Sequence, residues 1–363
     1  MGFSNDILAR IWLSQSEALT PRGERLLLER HGSYEAVRFS FDSEDRKLVG
    51  DKAYSELVRA GNELERILTL MEQTGVSVIT PDSDAFPPAL TFIPDPPKLL
   101  YIKGELPACA CVAIVGSRHD TRYGRTQATH IARDLARAGV CVVSGLARGI
   151  DTAAHRGALE GGGRTVAFLG CGLDNIYPPE NKELAAQIVS TGGALVSEYP
   201  LGAQPLPYHF PRRNRLISGL SDAVLLIEAT RRSGTQSTIN HALDQGRMVF
   251  ALPGNVDSPG SELPLDLLKD GAEICVTASD ILCQLKGQVI MERARADAAL
   301  SAVDDKTDDP ILKALEREEK TFEELLMETG MDATDLSASL TMLELEGTIE
   351  KRPGRAYARA RSS

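Results

Sequence analysis

The sequence predicts an α/β protein built on a Rossmann-like, doubly wound sheet, with a helical domain before it and a winged-helix module after it. Six short apolar runs rich in β-branched residues predict strands, at 112–116, 140–144, 165–169, 194–198, 223–229 and 248–252. Helical patterns lie between most of them, at 122–138, 151–160, 181–191 and 235–246. Continuously apolar strands alternating with amphipathic helices are typical of a parallel sheet covered on both faces, and right-handed crossovers make it doubly wound.

Two regions adjoin these strands on the N-terminal side. The weaker apolar runs 76–80 and 99–103 flank a proline-rich stretch and extend the sheet domain, which we place at 75–286. Residues 1–74 form the helical domain, because apolar residues recur there at helical spacing. This domain carries no reactive set of side chains, which favours an accessory interaction role.

The C-terminal part divides into a linker and a small module. Residues 287–309 are charged and without periodicity, as is typical of a linker, and 310–363 show three helical patterns and a short hairpin. Between 304 and 350, fifteen Asp or Glu stand against four Lys or Arg, and only the stretch 351–361 is basic. This charge favours protein contact or regulation by the winged-helix module, with direct DNA binding as the alternative.

Composition and charge narrow the function classes. With 363 residues and 42% hydrophobic content, the chain has enough core for two or three domains. The net charge of −11 argues against a polycation that coats DNA, but it leaves room for a local basic site. Aromatic residues make up only 5%, which excludes a dense aromatic platform.

Cysteine usage and hydropathy predict the cellular compartment. The six cysteines lie mostly in apolar runs without a C-x-x-C pair, so we expect reduced, buried thiols rather than disulfides or a zinc site. No apolar stretch approaches the roughly 18–20 residues that a membrane span needs. We therefore expect a cytoplasmic protein with no membrane contact, no metal and no cofactor.

Glycines and arginines follow the predicted strands. Ligands of open parallel sheets bind outside the carboxyl ends of the strands, so these segments predict the site. They are Gly116-Ser117-Arg118, Gly145–Gly149, Gly170-Cys171-Gly172, 198–200 with 210–215, and 231–235. Glycines let backbone N–H groups approach an anion, and guanidinium groups contact phosphates. We call this set of loops the strand-end rim.

The number of arginines at the strand-end rim indicates the class of ligand. Seven border it: Arg118, Arg148, Arg212, Arg213, Arg215, Arg231 and Arg232. A sugar–phosphate backbone needs that many contacts, whereas one phosphate does not. The alternative is that some, such as Arg213 and Arg232, form surface salt bridges. Phe210 either packs in the core or stacks on an unpaired base. The hypothesis fails if the guanidiniums point to opposite sides or are each paired with a carboxylate.

Enzyme alternatives find weaker support in the sequence. The segment 170–175 matches part of a G-x-G-x-x-G fingerprint, with Glu198 at the end of the next strand as a ribose acceptor. However, Pro178-Pro179 interrupts the helix that should follow, and Asn175 replaces the third glycine. Asp151 and His155 are one helical turn apart, which favours a capping arrangement over a catalytic dyad.

Several long motifs resemble the DNA-processing protein A family, also called Smf. They are IVGSR at 114–118, SGLARGIDTAAHRGAL at 144–159, TVAFLGCGLDNIYPPEN at 165–181, LVSEYPLG at 195–202, FPRRNRLISGLS at 210–221 and VFALPGN at 249–255. The N-terminal segment is similar to the sterile-alpha-motif-like (SAM-like) domain of many members, and the C-terminal segment resembles their winged-helix appendage. The segments 233–239 and 258–271 depart from the family pattern.

The resemblance implies a non-catalytic protein. Members bind single-stranded DNA in natural transformation, protect it, and load the RecA recombinase onto DNA coated by single-strand-binding protein, and they act as homodimers. The family motifs map the DNA site onto Gly116, Ser117, Arg118, Phe210, Arg212, Asn214 and Arg215. The strand-end rim adds Arg148, Gly149, Ser233, Gly234 and Thr235. We expect the dimer interface within 250–285.

Two rival functions stay open at this point. A nucleotide-binding Rossmann enzyme of the nucleoside-phosphate hydrolase class would use a similar sheet. A protein-interaction scaffold would use the glycine loops for packing alone. Oligonucleotide binding without turnover would distinguish the first hypothesis from both.

Overall fold

The computed structural model describes residues 3–285, 310–315, 319–345, 348–352 and 356–359. Within it the chain divides into two units, Met1–Cys283 and Gln284–Ser363. The predicted linker, 287–309, lies outside the described residues. The domain boundaries that we expect from the sequence stay predictions.

Five helices form the N-terminal segment: α1 (Asn5–Ser14), α2 (Pro21–His31), α3 (Tyr34–Ser40), α4 (Arg46–Val49) and α5 (Asp51–Thr74). Hydroxyl side chains of Ser4, Thr20 and Ser33 cap α1, α2 and α3 by accepting backbone N–H bonds. Gly32 and Gly75 end α2 and α5 in the left-handed conformation that glycine adopts without strain. Sequence and structure agree on the helical character of this segment.

Nine strands form one sheet: β1 (Ser77–Ile79), β2 (Leu100–Gly104), β3 (Cys111–Val115), β4 (Cys141–Ser144), β5 (Thr165–Phe168), β6 (Ala194–Ser197), β7 (Ala223–Leu226), β8 (Met248–Ala251) and β9 (Glu273–Ile274). Their order is β1-β2-β6-β5-β4-β3-β7-β8-β9. Strands β3 to β9 are parallel, and β2 pairs antiparallel with both β1 and β6. The predicted doubly wound α/β fold is confirmed.

Helices connect these strands: α6 (Pro88–Thr91), α7 (Arg122–Arg137), α8 (Ile150–Glu160), α9 (Lys182–Ser190), α10 (His209–Leu220), α11 (Thr235–Asp244) and α12 (Glu262–Lys269). A further helix, α13 (278–285), follows β9. The strand order reverses between β3 and β7, the first and fifth of the parallel strands in the chain. At such a point the loops after two neighbouring strands diverge and leave a crevice. The predicted site residues follow β3, β4, β6 and β7.

Two hydrophobic clusters pack against the sheet. One joins alternate strand residues, such as Val143 and Phe168, to α10 and α11. The other joins the N-terminal helices to the sheet, and Tyr101 is fully buried in it with Leu57 and Ala167. The Tyr101 hydroxyl lies 2.7 Å from Ser14 Oγ. The helical segment and the sheet therefore share one core.

The cysteines are all free. Cys111, Cys141, Cys171 and Cys275 are buried as expected, whereas Cys109 and Cys283 are exposed. Burial raises the pKa of the Cys171 thiol to about 11, which keeps it protonated at neutral pH. Among the described helices, none is long and apolar enough to cross a membrane.

The C-terminal unit contains α14 (Pro310–Ala314), β10 (Lys320–Thr321), α15 (Phe322–Thr329), α16 (Ala333–Leu345), β11 (Ile349–Arg352) and β12 (Ala356–Arg359). Its strands form a small sheet in the order β10-β12-β11. Thr321 and Glu324 make a reciprocal capping box at the start of α15. Three helices with this hairpin agree with the predicted winged-helix architecture.

Glycine at position 157 sets the distance between α7 and α8. A Cβ there would lie 2.3 Å from the Thr129 carbonyl oxygen. We expect Gly157→Ala to lower the free energy of unfolding by about 1–3 kcal/mol, although alanine favours helices. Gly61→Ala, on α5, is the matched control, since its Cβ would meet only Trp12 at 3.7 Å. If urea denaturation gives both variants a higher free energy of unfolding than the wild type, this close packing is contradicted.

Candidate nucleic-acid interface

Hydrogen bonds fix the turn that follows β3. Ser117 N donates to the Glu228 carbonyl at 2.6 Å, and Ile150 N donates to the Ser117 carbonyl at 3.1 Å. The Thr235 hydroxyl donates to the Gly116 carbonyl at 3.0 Å. The turn is thereby attached to the loop after β7 and to the first residues of α8 and α11. These bonds bring the Gly116–Arg118 and Ser233–Thr235 segments together at one edge of the sheet.

Gly149 allows the loop after β4 to touch this turn. Its φ is +76°, and a Cβ would lie 2.2 Å from the Ser117 carbonyl oxygen. A larger residue would push the two loops apart or strain the backbone. The contact places Gly149 directly against Ser117 and Arg118.

Arg118 and Phe210 meet at the centre of the strand-end rim. The exposed Arg118 guanidinium carbon lies 5.3 Å from the centre of the half-buried Phe210 ring. Phe210 rests on Gly170 after β5, where a Cβ would lie 3.1 Å from the ring. Within the described part of the chain, Arg118 has no carboxylate partner. A guanidinium held on an aromatic face keeps its outer N–H groups available to an anion.

Residues 210–215 lie in α10, although the sequence predicts a loop. Pro211 fits because the first turn of a helix does not need its missing N–H. The helical period then sends neighbouring arginines to different surroundings. Arg212 is exposed, whereas Arg213 and Arg215 are buried.

Arg213 is buried beneath the strand-end rim and binds two backbone carbonyls at the strand ends. Its Nη1 donates to the Gly145 carbonyl at 2.9 Å and to the Phe168 carbonyl. Burial lowers the pKa of Arg213 to about 10, and the negative charge of Asp151 opposes this shift. Burial also raises the pKa of Asp151, against the effect of Arg213. Arg213 is therefore a structural cation rather than one side of a surface salt bridge.

Arg215 is held by carboxylates within the protein. Its guanidinium makes two bonds to Glu198, at 2.6 and 2.7 Å, and one to Asp95 at 2.9 Å. Only 6% of the Arg215 side chain is exposed. Its donors already have carboxylate partners, which disagrees with the expectation that this residue contacts a phosphate.

The other predicted cations fall into two groups. Arg148 pairs with Glu180, and Arg231 pairs with Asp266 at 2.6 Å. Arg212 and Arg232 are exposed, and each lacks an ion pair among the residues that the structure describes. The seven arginines are thus neither all paired with carboxylates nor all available.

Polar side chains border the Arg118–Phe210 centre on the α11 side. The Asn214 amide donates to Ser237 Oγ at 2.8 Å, and Ser233 Oγ accepts from Thr235 N at 3.2 Å. Gly234 is exposed at the start of α11, where a helix N-terminus favours an anion.

Arg212 lies in a different place. Together with Tyr34 it lines a cavity of about 200 Å³ between the sheet domain and the N-terminal helices.

The residues behind the enzyme alternatives make structural contacts. The helix after β5 begins only at Lys182, beyond Pro178, so its N-terminus does not follow Gly170 directly as in a dinucleotide site. Asp151 accepts from the loop N–H groups of Gly145, at 3.1 Å, and Ala147. The described residues contain no cluster of groups that could hold a metal ion.

Two residues of this region were not predicted from the sequence. Tyr177 lies 5.7 Å from Phe210, measured between ring centres, and Glu180 carries the carboxylate that pairs with Arg148. Both belong to the loop between β5 and α9, which we read only as a helix interruption. An aromatic residue directly before Pro178 was the available signal.

The fold and the strand-end rim define a Rossmann-type protein that presents an exposed guanidinium and an aromatic ring at the switch point of its sheet. The chain belongs to the DNA recombination-mediator protein A family, whose sequence model matches residues 77–286. The model of the DprA winged helix domain matches residues 294–355. The resemblance and the winged-helix prediction are confirmed.

Relatives span most of the chain. It is 42% identical over 306 residues to protein Smf of Escherichia coli, covering 82% of this chain and 81% of the relative. It is 34% identical over 377 residues to a putative DNA processing protein DprA of Mycobacterium tuberculosis, covering 96% and 94%.

Two solved structures are similar to this fold. The X-ray structure of DprA from Streptococcus pneumoniae has a TM-score of 0.63 and 33% identity, covering 78% of this chain and 98% of that one. DprA from Helicobacter pylori, solved for its single-stranded DNA binding mode, has a TM-score of 0.53 and 31% identity, covering 59% and 96%.

We expect the buried His155 to make the stability of the fold depend on pH. It is buried, its Nδ1 lies 2.7 Å from Thr165 Oγ1, and its Nε2 lacks a described partner. Burial lowers its pKa to about 3 from an ordinary 6.5, so the neutral ring stabilises the fold above pH 6.5. As the pH falls from 6.5 towards 3, this histidine should cost about 1.4 kcal/mol per pH unit. Urea titrations should show a flatter pH dependence for His155→Gln; equal slopes would contradict the assignment.

Proposed function

We propose that this protein binds single-stranded DNA along its strand-end rim, protects it, and loads the RecA recombinase onto it during natural transformation and homologous recombination. It does so in the cytoplasm by binding alone, without a cofactor or a covalent step, and it meets strands coated by single-strand-binding protein. The observation that carries the proposal is the exposed Arg118 guanidinium over Phe210, without a described carboxylate partner, at the switch point.

Three properties of the strand-end rim support an unpaired strand as the ligand. Arg118 offers a charged donor to a phosphate, and the half-buried Phe210 ring beside it is an aromatic contact for a base. The N-terminus of α11, at Gly234 and Thr235, adds positive potential beside them. The Helicobacter pylori relative, which was solved for its single-stranded DNA binding mode, supports the same ligand class.

We further propose a homodimer formed through 250–285. β9 is the last strand at its edge of the sheet, so one side of its backbone has no neighbouring strand within the described residues. Ile274 and Val276 are each 54% exposed there. Apolar side chains at an open sheet edge favour pairing with another chain.

The proposal is tested by comparing ligands. We expect saturable binding of labelled dT oligomers, weaker binding of duplex, and no turnover of ATP, AMP or NAD. Hydrolysis of a mononucleotide would favour the nucleoside-phosphate hydrolase alternative instead. Absence of both responses would favour a protein-interaction scaffold.

Arg118→Ala should weaken dT binding about tenfold or more, because a charged contact to phosphate is lost. In a plot of log Kd against log salt concentration, the slope should decrease by about 0.7, because one phosphate contact is lost. Fluorescence anisotropy across a salt titration measures both quantities. Arg137→Ala, at the far end of α7, removes the same charge and should change neither.

Arg215→Met is the contrasting variant for the same assay. It leaves Glu198 without its partner in a nearly closed site, so it should lower the free energy of unfolding by about 3 kcal/mol or more. Arg118→Ala should leave stability within about 0.5 kcal/mol of the wild type. If Arg118→Ala is equally destabilising, or binds dT as the wild type does at every salt concentration, Arg118 is not a phosphate contact.

Glu180→Gln should tighten dT binding about two- to fivefold and steepen its salt dependence, because Arg148 loses an internal competitor for phosphate. The pKa of Glu180 lies below its ordinary value because of the bond to Arg148, so the carboxylate is charged at neutral pH. Glu183→Gln, in the first turn of α9, controls for net charge. Equal gains in both variants would show that Arg148 makes no specific contact.

A further inference from the structure

Two cations and two aromatic rings form a continuous row across the strand-end rim. Arg118 lies 5.3 Å from the Phe210 ring centre, and Phe210 lies 5.7 Å from the Tyr177 ring centre. Tyr177 precedes Glu180 by three residues in the same loop, and Glu180 pairs with Arg148. The row therefore runs Arg118, Phe210, Tyr177, Arg148, with a guanidinium at each end.

Tyr177 is held in this row by the loop between β5 and α9. Cys171 Sγ donates to the Asn175 carbonyl at 2.9 Å, which closes the first part of the loop. The Asn181 amide donates to the Leu146 carbonyl at 2.9 Å, which fixes its far end. Tyr177 nevertheless stays 36% exposed. A tyrosine that served only to pack on Phe210 would gain more by closing over it.

The two rings are not parallel. Their planes meet at 49°, so a base stacked on one ring cannot be parallel to a base stacked on the other. Neighbouring bases in a duplex are stacked on each other and remain nearly parallel. Only an unpaired strand can turn successive bases to two such faces.

We propose that Tyr177 is a second base-stacking platform, which receives the nucleotide next to the one on Phe210. The inference rests on the proposed binding of single-stranded DNA. Arg118 and Arg148 then contact the phosphates on either side of this pair of nucleotides. Since every base has an aromatic face, this subsite accepts any sequence and selects for single-strandedness.

The test separates base contacts from backbone contacts. Short dT oligomers are compared with fully abasic oligomers of the same length, using wild type, Tyr177→Leu and Tyr177→Phe. Tyr177→Leu should weaken dT binding about 5- to 100-fold and leave binding of the abasic strand unchanged, because only stacking is lost. Tyr177→Phe should behave as the wild type. Phe92→Leu, at an exposed aromatic residue that directly follows α6 and is 85% accessible, is the control.

The remaining outcomes each overturn a defined statement. Unchanged dT affinity in Tyr177→Leu, or equal losses on both oligomers, removes the second platform. In that case a loss on both oligomers in Arg118→Ala would leave the proposed function intact. Failure of the wild type to bind either oligomer would overturn both proposals.

Discussion

A buried guanidinium organises the carboxyl edge of the sheet. Arg213 reaches from α10 to the strand-end carbonyls of Gly145 and Phe168, and its charge is balanced by Asp151. Because this cation is buried, its hydrogen bonds must be satisfied locally, and this fixes α10 against β4 and β5. Phe210, one turn earlier on the same helix, is thereby placed above Gly170 and within reach of Arg118.

The acidic composition shapes the site as much as the arginines do. Several of the guanidiniums form ion pairs with carboxylates: Arg148 pairs with Glu180, and Arg231 pairs with Asp266. Such exposed pairs contribute little to stability, so a phosphate can replace the carboxylate at small cost. A chain with net charge −11 can in this way keep a small cationic site while repelling polyanions elsewhere.

The strands were predictable because continuous apolar runs have few alternatives in a chain of this length. The placement of Arg118 and Phe210 at the same edge of the sheet also followed from the rule that strand ends hold ligands, whereas their direct contact was not predicted. The orientation of 210–215 did not. Its polar residues and Pro211 suggest a loop, and only the packing of α10 on the sheet turns Arg213 and Arg215 inward. Which arginine is free depends on tertiary contacts that no local pattern encodes.

The N-terminal helices complete the hydrophobic interior of the sheet unit. Tyr101 of β2 and Leu99, which directly precedes β2, are buried in one hydrophobic cluster with Leu57 of α5. A shortened chain that began at the first strand would present this apolar surface to water. The helical segment is consequently not a removable appendage, and fragments for biophysical work are best started upstream of α1.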